Sequence, residues 1–309
     1  MKLNEIRTFV AVAEAQSVQE AGNRLGLTQS AVSRLIQRLE AELGVTLFDR
    51  QTKPLALTRD GELALAHARR VLKASDDLSD AFAGAAAPRG MLRLGVAHVL
   101  TSLAAHRPLD TLRATFPDLA VRLHSDWSTP LMEQVRNGTL DGALVLLVDG
   151  QLPPDDLVGI RVSQEPVHII ASREACGPEP LTLPAMNAVG WVLQPDGCKY
   201  RHAMTHALAR HGLPLNVTIE AFDQTLLISL VARGVGFGLA PMRLIASTPH
   251  AAQVRTVDIP EFSLTVSVWL VRARFTGRIG PVFDRLESSL RDQLATPVPS
   301  PMPFHSAAE

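Results

Sequence analysis

Cysteine is nearly absent: Cys176 and Cys198 are the only two in 309 residues. That offers no disulfide framework and suits a reducing cytosol, so a cytoplasmic protein is expected. No run approaches the roughly 18 uninterrupted apolar residues of a membrane span, and no membrane partner is expected. The opening MKLNEIRTFV has no apolar core and no small-residue cleavage site, so it does not read as a signal peptide. No excess of either charge exists, since the formal net charge is -1. Bulk charge therefore announces no nucleic-acid partner, and any such signal has to be local. What is present is a globular balance, 46% apolar and 20% charged, in a chain long enough for two or three domains.

The first sixty residues read as three short helices and a hairpin. Ile6, Phe9, Val10 and Ala13 recur at helical spacing. Ser17 is placed to cap a second helix with Val18, Ala21 and Leu25 inward, and Gly26 to end it. Thr28 is placed to cap a third, with Ala31, Val32, Leu35, Ile36, Leu39 and Leu43 inward and Gly44 as its stop. Two short extended pieces follow, around Leu47-Phe48 and Leu55-Leu57, separated by a polar tip. That is the pattern of a winged helix-turn-helix, whose second helix enters the major groove of double-stranded DNA.

Local charge supports the pattern. Between Ala21 and Leu39 there are arginines and no acid, and the same holds from Arg50 to Arg59. The expected DNA-binding set is Thr28, Gln29, Ser30, Ser33, Arg34, Gln37 and Arg38, with Arg50, Lys53 and Pro54 on the wing. Gln can pair bidentately with adenine, Arg with guanine, and Ser or Thr with bases or phosphates.

From Arg59 to about Ala87 the chain reads as one long helix, expected to serve dimerisation because so long a helix outside a core needs a partner. Pro88 and Gly90 then break it. Strands alternating with helices follow: 92–96, 119–123, 142–148, 167–171, 189–193, 217–221 and 237–240, with helices over 128–137, 201–211 and 224–233. This predicts a mostly parallel sheet in two α/β lobes. The four prolines between Pro297 and Pro303 predict a disordered tail over 296–309.

Three runs carry a family resemblance: Phe9-Val10-Ala11-Val12-Ala13-Glu14, Ser17 to Gly22, and Leu27-Thr28-Gln29-Ser30-Ala31-Val32-Ser33. So do Leu43-Gly44-Val45, Leu47-Phe48-Asp49-Arg50 and Leu57-Thr58-Arg59-Asp60-Gly61. Together they closely resemble the N-terminus of the LysR-type transcriptional regulators, departing at Val18, often Phe there, and at Gly22, usually Ala. Gly138-Thr139-Leu140-Asp141-Gly142-Ala143 and the glycine-rich stretch from Leu230 to Pro241 extend the likeness more loosely to about residue 295.

The resemblance implies an α/β effector domain with two lobes, like a periplasmic binding protein, and a small-molecule effector in the cleft. It implies residues 1–58 for DNA binding, 59–90 for the linker helix and 91–295 for the effector domain. Lobe one would hold 91–162 plus 271–295, and lobe two 163–270. Expected partners are an imperfect palindromic operator, a second or further copies of the chain as homodimer or homotetramer, and RNA polymerase.

Strand ends and helix starts place His98, Thr101, Ser102, Trp127, Ser128, Gln194, Cys198, Tyr200 and Phe222 around the effector, with Ser128 capping its helix. Such a lining, with three aromatic rings, suits a small carboxylate with an apolar or aromatic body. Cys198 beside Lys199 at a helix start is expected to have a lowered pKa, and a thiol sensor with Cys176 as resolving partner is an alternative. No cofactor or metal is expected. Gly234, Gly236 and Gly238 follow a helix and precede a strand, the reverse of a dinucleotide fingerprint. His202, His206 and His211 lack a strong third-ligand spacing. No paired carboxylates or nucleophile elbow point to an enzyme, so a helix-turn-helix fused to an enzyme-like α/β domain is the remaining alternative.

Overall fold

The computed structural model describes residues 1–49, 51–82, 87–101, 107–174 and 181–295. The N-terminal unit contains α1 (Leu3–Ala15), α2 (Val18–Leu25) and α3 (Gln29–Leu43), then a hairpin of β1 (Phe48–Asp49) and β2 (Ala56–Leu57). Its helices start and stop where local chemistry dictates. Ser17 Oγ accepts from the Glu20 N–H and Thr28 Oγ1 from the Ala31 N–H, while Gly26 and Gly44 close the ends at φ 66° and 71°. Gly22 permits close approach of α2 to the turn, since a Cβ there would sit 2.7 Å from the Leu27 carbonyl oxygen. Ile6, Phe9, Val12, Ala21, Val32, Ile36, Leu39, Leu47 and Phe48 form the buried core. Leu25 and Leu43, expected inward, are 37% and 44% exposed, because each lies in the last turn, beyond the reach of the small core.

The long helix α4 runs Arg59–Ala81, ending short of the expected Ala87. Leu63, Val71 and Leu78 are among its most exposed apolar positions, at 62%, 40% and 64%. At 3.6 residues per turn these three lie within an arc of roughly 80°, so one face of the helix is apolar and uncovered. Across the other side, Arg69 donates to Glu14 Oε1 in α1 and to Thr139 Oγ1 in the domain that follows.

That domain opens with β3 (Gly90–Ala97), α5 (Arg107–Thr115), β4 (Leu119–Asp126), α6 (Ser128–Arg136) and β5 (Gly142–Val148). Among the described residues a seven-stranded sheet has the order β10-β6-β11-β5-β3-β4, with β9 also on β6. Here β6 is Leu157–Ser172, β9 Gly238–Pro241, β10 Val254–Val257 and β11 Leu264–Ala273. The expected mostly parallel sheet is corrected to a mixed one. β3 pairs in parallel with β4 and β5, but every pairing of β6 and β11 is antiparallel. The reason is topological: one strand carries the chain out to the second lobe and the other brings it back, so they run in opposite directions. Val162 and Leu270 lie inside these two strands, which the lobes therefore share.

The second lobe holds α7 (Leu183–Val189), β7 (Trp191–Leu193), α8 (Lys199–Ala209), β8 (Val217–Glu220), α9 (Gln224–Ala232) and α10 (Met242–Ala246). Val189 ends a helix and does not begin the expected strand. Gly190 supplies the break at φ 110°. The last helix, α11 (Gly280–Ala295), buries Phe283, Leu286 and Leu290 against lobe one. The expected tail 296–309 lies outside the described residues.

Candidate DNA interface and effector cleft

On α3, Gln29, Ser30, Arg34, Gln37 and Arg38 are exposed, and Ser33 is half-buried. Thr28 and Ser30 exchange a 3.1 Å hydroxyl contact, and Arg34 Nε donates to the Ser30 carbonyl at 3.2 Å. The acids near this face are occupied: Glu20 pairs with Arg24, Glu40 accepts from the Leu47 N–H at 2.8 Å, and Glu42, one turn beyond Arg38, pairs with the N-terminal amine. Cations therefore meet the solvent without a competing carboxylate beside them. Lys53 and Pro54 are exposed at the wing tip, which Thr52 braces through the Asp49 carbonyl and the Ala56 N–H. Arg50 lies outside the described residues.

In the second region the structure gathers some of the expected residues and separates others. His98, Trp127 and Phe222 form one aromatic cluster. Trp127 stacks on Phe222 with centroids 6.0 Å apart, and His98 meets both rings edge-on at 4.9 and 5.5 Å. Trp127 also lies over Gly197, held at φ 100°, where a Cβ would come within 2.5 Å of the indole nitrogen. So lobe one touches lobe two directly here. Ser125 Oγ donates to the Val96 carbonyl, so it accepts from His98 Nδ1 at 2.9 Å.

Beside the cluster opens a cavity of about 490 Å³. His98, Thr101 and Gln293 line it from lobe one; Phe222, Gln224 and Arg243 line it from the crossing and lobe two. Gln194, Cys198 and Tyr200 lie behind Gln224, around a void with no room for water. Tyr200 is thus not one of the cleft's aromatic rings; His98 takes that place. Ser128 is buried, but its hydroxyl accepts from the Leu146 N–H at 2.9 Å. It does not cap its own helix, whose N-cap is Trp127. Ser102 lies outside the described residues.

The expectation for Cys198 is overturned. The side chain is 4% exposed and its Sγ donates to Gln194 Oε1 at 3.0 Å. Burial pushes the thiol up, outweighing the Arg201 and Tyr200 backbone N–H groups that pull it down. The same burial raises the Tyr200 hydroxyl. Cys176 lies outside the described residues. His202 and His206 sit with ring centroids 6.5 Å apart, and no metal-binding group of three ligands occurs among the described residues.

Gln224, Arg243 and Gln293 were missed from sequence. The sequence places Gln224 at the start of a helix, which Asp223 caps through the Leu226 N–H, but nothing local turns that position toward a cavity. Nothing local marks Arg243 or Gln293.

Residues 3–62 match the family "Bacterial regulatory helix-turn-helix protein, lysR family", and residues 85–294 match "LysR substrate binding domain". The chain belongs to the LysR family of transcriptional regulators. As a LysR-type regulator it is a DNA-binding protein whose output responds to a small effector, and its partners are operator DNA, the effector and further copies of itself. It is 26% identical to the uncharacterized HTH-type transcriptional regulator YusT of Bacillus subtilis, over 84% of this chain and 86% of that one. A full-length OxyR variant from Pseudomonas aeruginosa shares the fold with a TM-score of 0.75 at 20% identity, covering 94% and 98% of the two chains. CbnR in complex with its target DNA does so at 0.58 and 20%, covering 95% and 100%. No helix among the described residues is long and apolar enough to cross a membrane.

Proposed function

We propose that this regulator reads DNA with Gln29, Ser33 and Arg34, flanked by Thr28, Ser30, Gln37 and Arg38, while the wing residues Arg50, Lys53 and Pro54 grip the backbone. The observation that carries this reading is the exposed, acid-free first part of α3, Gln29 to Arg38, presented by a helix with a capped start. Residues 1–58 act as the reading head, 59–90 as the linker and 91–295 as the effector domain. The effector enters the cavity beside His98, Thr101 and Phe222, with Trp127 backing the Phe222 ring. Ser102 contributes to effector binding, while Ser128, Gln194, Cys198 and Tyr200 support the lining from behind. The domain binds without turnover, and the protein works in the cytoplasm, where DNA and RNA polymerase are.

Two copies pair through the uncovered face of α4, setting two reading heads a whole number of helical turns apart on a palindrome. Leu63→Asp or Val71→Asp places a charge in that seam. Sedimentation should show the variants as smaller species, with operator affinity down on the order of 100-fold as one half-site is lost. Unchanged mass and unchanged affinity for both variants would remove α4 from the interface.

A further inference from the structure

Resting on the cleft as the effector site, we infer that α6 works as a strut and Arg69 as the joint through which the state of the cleft reaches the reading head.

The strut begins in the cleft. Trp127 is the N-cap of α6, and its ring lies over Gly197 of lobe two and stacks on Phe222. The helix that follows is held as a rigid body. Leu131 and Val135 are buried in the core of lobe one, and Ser128 is bonded to the β5 backbone. Nine residues long, it spans about 13 Å. At its far end the chain turns through Asn137, Gly138 and Thr139. Asn137 Oδ1 accepts from both the Thr139 N–H and the Thr139 hydroxyl, at 3.0 and 2.6 Å. With its proton spent there, the hydroxyl oxygen accepts from Arg69 Nη1 at 3.0 Å. Gly138 adopts φ 76°, and a Cβ there would lie 3.6 Å from the Arg69 carbonyl carbon, so the turn rests directly on α4.

Arg69 also faces the other way. Its Nη2 donates at 3.3 Å to Glu14 Oε1 in the last turn of α1, whose Phe9 and Val12 share a core with Val32 and Ile36 of α3. One guanidinium thus grips the effector domain with one nitrogen and the reading head with the other. Nearby charges also pair within one side: Arg7 with Asp76 between α1 and α4, Lys73 with Asp77 along α4, and Arg93 with Asp141 in the effector domain. A cavity of about 570 Å³ opens beside the joint, lined by Glu14, Arg69 and Lys73 on one side and Arg93, Asp141 and Arg278 on the other. Arg69 Nε is buried without a hydrogen-bond partner, a cost that opening to water removes. So polar a joint can stand closed on Thr139 or open to water, where an apolar seam would stay fixed. Its release lets the head turn on the effector domain, which resets the spacing of two heads on DNA.

Backbone hydrogen exchange of the full-length protein tests this route. Trp127→Ala takes the ring off the upper end of the strut. Exchange should then rise roughly 3-fold at residues 137–140 and in the last turn of α1. With Arg69→Met added, the turn should still respond and α1 should not. Thr139→Val, which removes only the acceptor, should silence α1 in the same way. Phe222→Ala withdraws the ring beside Trp127 but leaves α6 its N-cap, and it should repeat the Trp127→Ala pattern with β5 unchanged. An α1 response that survives Arg69→Met and Thr139→Val, or no α1 response while the turn moves, would overturn the joint. A turn that does not respond, or a rise spread equally through β5, would overturn the strut. No effector enters the experiment, so either failure falls on this route and not on the cleft as the binding site.

Discussion

The reading head and the effector domain use polar side chains in opposite ways. In the head, Arg34, Gln37 and Arg38 stand exposed on a helix whose stability comes from other residues, Val32, Ile36 and Leu39. Function and folding sit on different faces. In the effector domain, Ser128 is buried and bonded to the β5 backbone, and Gln194 ties Cys198 to the Phe222 carbonyl. There the polar side chains behind the site hold its scaffold together. A surface that reads DNA can therefore change without threatening the fold, whereas a change in the cleft alters both at once.

Ser128→Ala is the strongest attempt to break this contrast. Removing the hydroxyl leaves the buried Leu146 N–H without its acceptor, a loss of about 2 kcal/mol. Chemical denaturation should register that loss together with an impaired effector response. A full loss of response at unchanged stability would show that site and scaffold are separable after all.

Arg34→Ala tests the other half. Specific operator binding should weaken by about 1–3 kcal/mol and specificity relax at one base pair, with melting temperature unaltered. Equal weakening on every DNA sequence would make Arg34 a phosphate clamp.

The smallest effect concerns Cys198. Its thiol is raised above 9.0 in the folded protein by burial, so the folded state holds that proton more tightly than the unfolded chain. The resulting stability is complete below pH 9 and is lost as pH climbs through the folded value. Alkylation at pH 8 should be far slower in the native protein than in denaturant. Equal rates, or rapid oxidation by peroxide, would restore the thiol-sensor alternative.

Local pattern was enough for much of the head. Ser17, Thr28, Gly26 and Gly44 act within four residues of themselves, so caps, stops and the exposed face of α3 are written in short spacings. The same holds for β5, which runs 142–148 as its apolar run requires. Cys198 marks the limit of such reading. A helix start next to Lys199 points to a low pKa, but burial among residues far away in the chain reverses the sign. The antiparallel direction of β6 and β11 was equally invisible, since strand direction depends on the partner strand and not on the run itself. The cavity beside Gln224 is the extreme case. Its walls come from segments near residues 98, 222, 243 and 293, and only the return of α11 onto the first lobe brings Gln293 opposite Gln224. An amphipathic helix specifies which face is buried, but which neighbour covers that face, and what is left unpaired between them, follows from packing across nearly two hundred residues.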